Sequence, residues 1–249
     1  MNAADSAQQN AVEIQRAYYA RTAQHYDEVH LHEQSEHEFA MRFMISMIRY
    51  LGITSILDIG SGTGRCLIDV TKEVPGITAV GVEPSAALRE IGYSKGLSTT
   101  QLIDGDAMRL PFADNSFDLV CEFAALHHIP APAKAVSEML RVSRKAIFIS
   151  DSNNFGQGGK LSRIFKQALN AAGLWPMAVF IKTGGKRYSV TEGDGLGYSY
   201  SVFNSYKQIR AACESVHLLN TTNGSSPNLY RSASHVALLG IKPQPKTMI

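Results

Sequence analysis

Cysteine is scarce. The chain of 249 residues holds only Cys66, Cys121 and Cys213, an odd number without metal-ligand spacing. A disulfide framework is excluded, no metal centre is expected, and the three read as reduced, buried, intracellular thiols. An excess of one charge is missing too. The formal net charge is +2 and no Lys/Arg cluster stands out, so the footprint of a nucleic-acid-binding surface is absent. No run approaches the roughly 20 apolar residues of a membrane span. The polar first ten residues lack the apolar centre of a secretory signal. A cytoplasmic protein is expected, with neither nucleic acid nor a membrane among its partners. Asn220-Thr-Thr and Asn223-Gly-Ser then match the glycosylation pattern by chance.

What is present is a hydrophobic fraction of 45% against 18% charged residues, suited to one packed α/β domain over residues 1–249. Apolar runs predict strands at 55–59, 78–82, 100–103, 117–121 and 146–150. Helices are expected between them at 63–73, 85–95 and 132–142. Such alternation implies a parallel sheet covered by helices on both faces. Ahead of it, residues 1–10 read as frayed, and 11–34 and 37–51 as helices. Met44, Met47, Ile48 and Leu51 share one face of the second helix, and Gly52 stops it. Residues 152–204 break the rhythm with a helix near 160–172 and then glycines among aromatics. A helix at 205–215 and strands at 216–220 and 235–241 close the pattern.

The chemistry concentrates in residues 56–64, Ile-Leu-Asp-Ile-Gly-Ser-Gly-Thr-Gly. The apolar run ending at Ile59 reads as a buried parallel strand. Gly60, Gly62 and Gly64 let the backbone turn sharply and approach a ligand. Glu83 closes the next strand, where a carboxylate can accept hydrogen bonds from both hydroxyls of a ribose. The pattern predicts a nucleoside-containing cofactor. The third glycine of a dinucleotide turn is missing, because its position is Arg65. A phosphate-binding loop is missing as well, since no Gly-Lys-Ser/Thr follows.

Five ordered motifs narrow the choice: Leu57-Asp-Ile-Gly-Ser-Gly-Thr-Gly64, Gly81-Val-Glu-Pro-Ser85, Gly105-Asp-Ala107, Leu110-Pro-Phe-Ala-Asp-Asn-Ser-Phe-Asp118 and Leu126-His-His-Ile129. In order and spacing they resemble the class I S-adenosylmethionine-dependent methyltransferases, small-molecule branch, over residues 15–151. The resemblance implies a Rossmann-like seven-stranded methyltransferase sheet, order 3-2-1-4-5-7-6, with strand 7 antiparallel. It also implies S-adenosyl-L-methionine as cofactor. Asp58, Gly60, Ser61, Gly62 and Gly64 would lie at its methionine part and Glu83 on its ribose. Asp106 would meet the adenine amino group and the Ala107 backbone a ring nitrogen. Pro84, Ser85 and Met108 would wall the ring, and Glu122 and Phe123 would lie along the methionine chain. Tyr26, followed by Asp27, would pack on the cofactor as part of an N-terminal lid over residues 11–51. One departure is visible: Val142-Ser-Arg-Lys145 stands where many members have Pro-Gly-Gly before strand five.

Methyl transfer from a sulfonium is an in-line displacement that needs alignment and exclusion of water. A base is needed only where the acceptor must lose a proton. His127, His128 and Asp151 are the candidate catalytic groups, all placed after strands four and five. Segment 152–204, with Trp175, Phe180, Tyr188, Tyr198, Tyr200 and Phe203, is expected to cover the substrate; a homodimer contact is the other use of these aromatics. Lys182, Lys186 and Arg187 read as a solvated charge group. The expected function is methylation of a small-molecule acceptor, first a hydroxyl of a secondary metabolite or sugar. N- or C-methylation, a non-catalytic S-adenosylmethionine-binding module and a nicotinamide-dependent oxidoreductase are the alternatives.

Overall fold

The structure, a computed structural model, describes residues 3–27, 35–222 and 227–244. In chain order its strands are β1 (Ser55–Ile59), β2 (Thr78–Val82), β3 (Leu102–Ile103), β4 (Phe117–Phe123), β5 (Ser143–Ser152), β6 (Tyr188–Thr191), β7 (Gly195–Tyr198), β8 (Ser215–Asn220) and β9 (His235–Ile241). Its helices are α1 (Ala3–Thr22), α2 (Glu36–Tyr50), α3 (Arg65–Glu73), α4 (Ala86–Ser94), α5 (Pro132–Val142), α6 (Lys160–Ala171), α7 (Trp175–Lys182), α8 (Val202–Ala212) and α9 (Leu229–Ser232).

Seven strands form one sheet in the order β3-β2-β1-β4-β5-β9-β8, while β6 and β7 pair with each other. Strands β1 to β5 are parallel, and β9 runs antiparallel to both its neighbours. This is the expected order, with β8 and β9 as the two late strands. Successive side chains of a strand point to opposite faces. Leu57, Ile59, Val120, Ile147 and Ile149 therefore pack with α5 and α8 on one side. Ile56, Leu119, Ala146 and Phe148 pack with α2 and α3 on the other. In α2 the buried stripe is Ala40, Met41, Met44, Ile45 and Ile48, with Met47 and Leu51 at its margin. Ser35 caps that helix by accepting from Glu38 N at 3.2 Å.

Several boundaries differ from the sequence expectation. α1 already begins at Ala3, inside the stretch expected to fray, and its expected continuation over 28–34 lies outside the described residues. Asn223 lies outside them too. β3 is only two residues long, and β4 continues through Glu122 and Phe123. α8 starts at Val202 rather than 205, because Ser201 caps it by accepting from Phe203 N. No turn separates α5 from β5; the helix ends at Val142 and the strand begins at Ser143. The residues replacing the glycine turn have another task. Arg144 Nη2 lies 2.6 Å from Asp118 Oδ1, and Lys145 Nζ lies 3.4 Å from its Oδ2. Thr54 donates to the same carboxylate from its N–H and its hydroxyl, so Asp118 is a structural acid at the far end of β4. Among the described residues, no helix is long and apolar enough to cross a membrane.

Candidate active site

The carboxyl ends of β1, β2 and β4 converge, the position at which open α/β sheets bind ligands. Gly60, Gly62 and Gly64 all have left-handed φ, at 68°, 55° and 80°. A Cβ on Gly60 would stand 2.5 Å from Ala125 Cβ, so both conformation and space demand glycine there. The turn is tied to β2 by Gly60 N and Ser61 N, which donate to Val82 O. Glu83 is buried at the turn, its Oε2 accepting from Gly62 N at 3.0 Å and its Oε1 from Ser85 N at 2.8 Å. Each oxygen keeps a lone pair for a further donor. Burial pushes the Glu83 carboxyl up to about 7, the backbone donors only partly offsetting it.

Glu83, Pro84, Ser85, Asp106, Ala107 and Met108 line a cavity of about 180 Å³. Asp106 Oδ1 accepts from Met108 N at 2.8 Å, which fixes the carboxylate and leaves its second oxygen for a ligand. A larger cavity of about 660 Å³ adjoins it and contains Asp58, Ser61, His127 and Asp151. Tyr19, Tyr26, Gly60, Phe123, Ala124 and His128 line both. Ala124 holds φ at 55°, a strained conformation for a residue with a Cβ, in the loop between β4 and the histidines. Tyr26 packs over the turn; its hydroxyl is 3.2 Å from where a Gly62 Cβ would be. Asp58 is buried, and burial raises its pKa to about 7.

Three of the expected cofactor residues act from behind. Gly62 and Gly64 line neither cavity and shape the turn, Gly64 being packed against Leu97. Glu122 also lines neither cavity. Its Oε2 accepts from Ala125 N at 2.8 Å, so it braces the loop that carries the histidines. Complete burial keeps its proton on well above the usual carboxylate range.

In the larger cavity His127 stands between two carboxylates. Its Nδ1 is 2.7 Å from Asp151 Oδ1, and its Nε2 is 3.2 Å from Asp194 Oδ2. Asp151 is fully buried, and its Oδ2 accepts from His127 N. Burial alone would lower the His127 pKa; the charge and hydrogen bond of Asp151, joined by Asp194, outweigh it and raise the pKa well above the usual histidine range. Burial likewise opposes ionisation of Asp151, yet the His127 charge holds that carboxyl at about 2. The neighbouring His128 is held by a backbone carbonyl. Its Nδ1 lies 2.6 Å from Leu196 O, which can only accept, so Nδ1 carries hydrogen. His128 Nε2 is left facing Asp194 Oδ1 at 3.5 Å. His127, His128 and Asp194 thus offer ligand atoms within 4.8 Å of one another, a donor set a divalent transition metal would accept. An imidazolium shared between two carboxylates accounts for the same geometry.

Sequence reasoning missed Asp194, in the turn between β6 and β7. It also missed the link between that hairpin and α1: Leu196 N donates to Gln15 Oε1 at 2.6 Å, and Tyr18 OH donates to Glu192 O at 3.0 Å. His37 and His235 were missed as well. Their rings meet edge to face at 4.6 Å beside the same cavity, and burial pushes the pKa of both down. Among the described residues, His37 Nδ1 and His235 Nε2 are buried without a hydrogen-bond partner. Strand alternation gives no signal for any of these groups, because they reach the site from four separate segments.

Residues 57–148 match a family model described as a methyltransferase domain. Over these residues the chain is similar to that methyltransferase family. A demethylmenaquinone methyltransferase of Roseiflexus sp. is 39% identical over 89 residues, which are 35% of this chain and 37% of that protein. Another, from Staphylococcus aureus, is 39% identical over 92 residues, 36% of this chain and 38% of its own. The chain therefore spans well under half the length of the curated relatives it matches. Among solved structures, a methyltransferase of Thermotoga maritima superimposes with a TM-score of 0.55 at 17% identity, covering 91% of this chain and 99% of that one. One from Mesorhizobium loti gives 0.55 at 16% identity, covering 84% and 98%. These two likenesses are of fold: the methyltransferase domain sits in a sheet of the class I type, with β9 as its antiparallel strand.

The smaller cavity suits the cofactor of that class. A buried carboxylate pushed up to about 7, with one free lone pair on each oxygen, lacks two donors. A ribose diol supplies two.

Proposed function

We propose that the chain transfers a methyl group from S-adenosylmethionine to a hydroxyl of a small-molecule acceptor, a secondary metabolite or sugar, with His127 as base. The cofactor supplies an electrophilic methyl on a sulfonium. Glu83 holds the ribose, Asp106 and the Ala107 backbone hold the adenine, and Asp58, Gly60 and Ser61 face the methionine part. Tyr26 closes over it from the N-terminal lid. Residues 152–204 act as the acceptor's cover, which excludes water from the larger cavity.

The observation that carries this reading is the hydrogen bond between His127 Nδ1 and Asp151 Oδ1 at 2.7 Å. It fixes the ring so that Nε2 points into the cavity, where Asp194 now meets it. An acceptor hydroxyl takes the place of Asp194. Losing that carboxylate lowers the proton affinity of His127, and Asp151 stabilises the imidazolium formed when the acceptor proton arrives. The unpartnered nitrogens of His37 and His235 favour a polar acceptor.

A second reading is favoured by the relatives. Two of them are named demethylmenaquinone methyltransferases. Methylation at a carbon beside a hydroxyl also begins with loss of the hydroxyl proton, so the same base serves. The test is incubation with methyl-labelled S-adenosylmethionine and a panel of hydroxylated acceptors, read by product mass. Labelled product from the wild-type chain and far less from His127→Ala supports the proposal. Cofactor binding without any methylated product would instead mark a non-catalytic binding module.

A further inference from the structure

The dispersed charges of the sequence hide a local asymmetry. Residues 152–191 contain Lys160, Arg163, Lys166, Lys182, Lys186 and Arg187 and no Asp or Glu, while the remaining residues carry a net −4. This segment builds α6 and α7, joined by a turn at Gly173, and neither helix has a buried residue. They are nonetheless apolar on one side. Leu161, Ile164 and Phe165 share a face of α6 and are 83%, 53% and 64% exposed. Met177, Phe180 and Ile181 repeat the same spacing on α7 at 62%, 46% and 72%. The opposite side of α7 is different: Trp175, Val179 and Lys182 line the larger cavity. So α7 separates the acceptor cavity from an apolar face that stays exposed among the described residues. Arg187 stands 5.7 Å from the Phe180 ring, at the rim of that face.

Water-facing helices with bulky apolar side chains and only basic charges are the composition of an element lying in a membrane interface. We propose that the α6–α7 hairpin docks on an anionic lipid bilayer. Charge complementarity selects this occupant over a second copy of the chain. A two-fold contact would set the patch against itself, and with it two basic segments that carry no acid to pair with. A bilayer with anionic headgroups meets the apolar stripes with acyl chains and Lys160, Lys186 and Arg187 with phosphates, while Lys166 and Lys182 line the larger cavity instead. The sequence expectation of no membrane partner rested on the lack of a spanning segment. It does not bear on a helix pair that lies on the surface. Docking is independent of the methyl-transfer reading, though it sets the acceptor cavity directly behind the bilayer face.

The test is sedimentation of the full chain with phosphatidylcholine vesicles containing about 30 mol% phosphatidylglycerol, a roughly physiological anionic content, and with pure phosphatidylcholine vesicles. Binding to the anionic vesicles, weakened by salt and much weaker on neutral ones, is the expected result. The double variant Phe165→Glu/Ile181→Glu should lose binding while keeping its circular dichroism and its S-adenosylmethionine affinity. Lys160→Gln/Lys186→Gln should weaken it about 30-fold, since each basic residue near such a surface contributes about one kcal/mol. Retained binding in the Glu double variant overturns the proposal. So does a wild-type chain that ignores both vesicles, including one that dimerises through this face and becomes monomeric in the Glu double variant.

Discussion

Asp151 Oδ1 stands 2.7 Å from His127 Nδ1, and the Asp151 side chain is entirely out of water. A buried carboxylate is stable there only with a positive or donating partner. It therefore orients the ring and favours its charged form. Asp151→Asn keeps the size and removes the charge. Turnover should fall by about 10²- to 10⁴-fold, the usual contribution of a positioned base. Cofactor affinity measured by calorimetry should stay within about twofold, because the change lies outside the smaller cavity. An Asn variant with wild-type turnover would remove the base from the account.

The two histidines should separate in kinetics. His127→Ala is expected to lower kcat at similar cofactor affinity. In His128→Ala the donor to Leu196 O is lost, which loosens the β6–β7 hairpin, so KM for the acceptor should rise more than kcat falls. Identical effects of the two substitutions would contradict the division of roles.

Asp194 should govern the pH profile. The base works only when neutral, and both neighbouring carboxylates raise the His127 pKa against the effect of burial. Asp194→Asn removes one of them. The acidic limb of kcat/KM should therefore move to lower pH, and His127 should titrate lower by nuclear magnetic resonance. A limb that stays in place, or moves up, would show that Asp194 does not hold the proton on His127.

Glu83 should make the cofactor's stabilising effect depend on pH. Its carboxyl ionises at about 7 in the folded protein because of burial, and near 4.5 when unfolded. A raised folded pKa means stability that is fully present below the unfolded value and lost as pH rises toward the folded one. Between pH 4.5 and 7 the protein without cofactor should lose stability that Glu83→Gln does not lose, on the order of a few kcal/mol. Donation from a ribose diol favours the carboxylate, so the cofactor should raise the melting temperature more at pH 8 than at pH 5. The reverse order would be incompatible with Glu83 as the ribose ligand.

The lining of the smaller cavity was legible because its parts are short, contiguous and each tied to a strand end. The glycine turn, Glu83 and Asp106-Ala107 all fall where a parallel strand stops, and strand alternation finds those stops. Glu122 shows the limit of that reading. It stands next to Phe123, which does line the site, but the opposite side chain of a strand points elsewhere, and β4 ran two residues further than its apolar run suggested. The acceptor half was illegible for another reason. Asp194, Gln15, His37 and His235 are distant in sequence and meet only through tertiary packing. The exposed faces of α6 and α7 were read only as part of a substrate cover, because periodicity reports that a face is apolar and not what covers it.

Calorimetric titration of the full chain decides whether residues 56–108 bind S-adenosylmethionine through Glu83. S-adenosylmethionine should bind at a single site, and NAD should give no binding heat. Glu83→Ala should weaken the binding at least about tenfold, the loss of hydrogen bonds to a charged group. Asp114→Ala should leave it unchanged, since Asp114 pairs with Arg141 on the surface. Binding of NAD and not of S-adenosylmethionine, or equal effects of the two substitutions, would contradict the account.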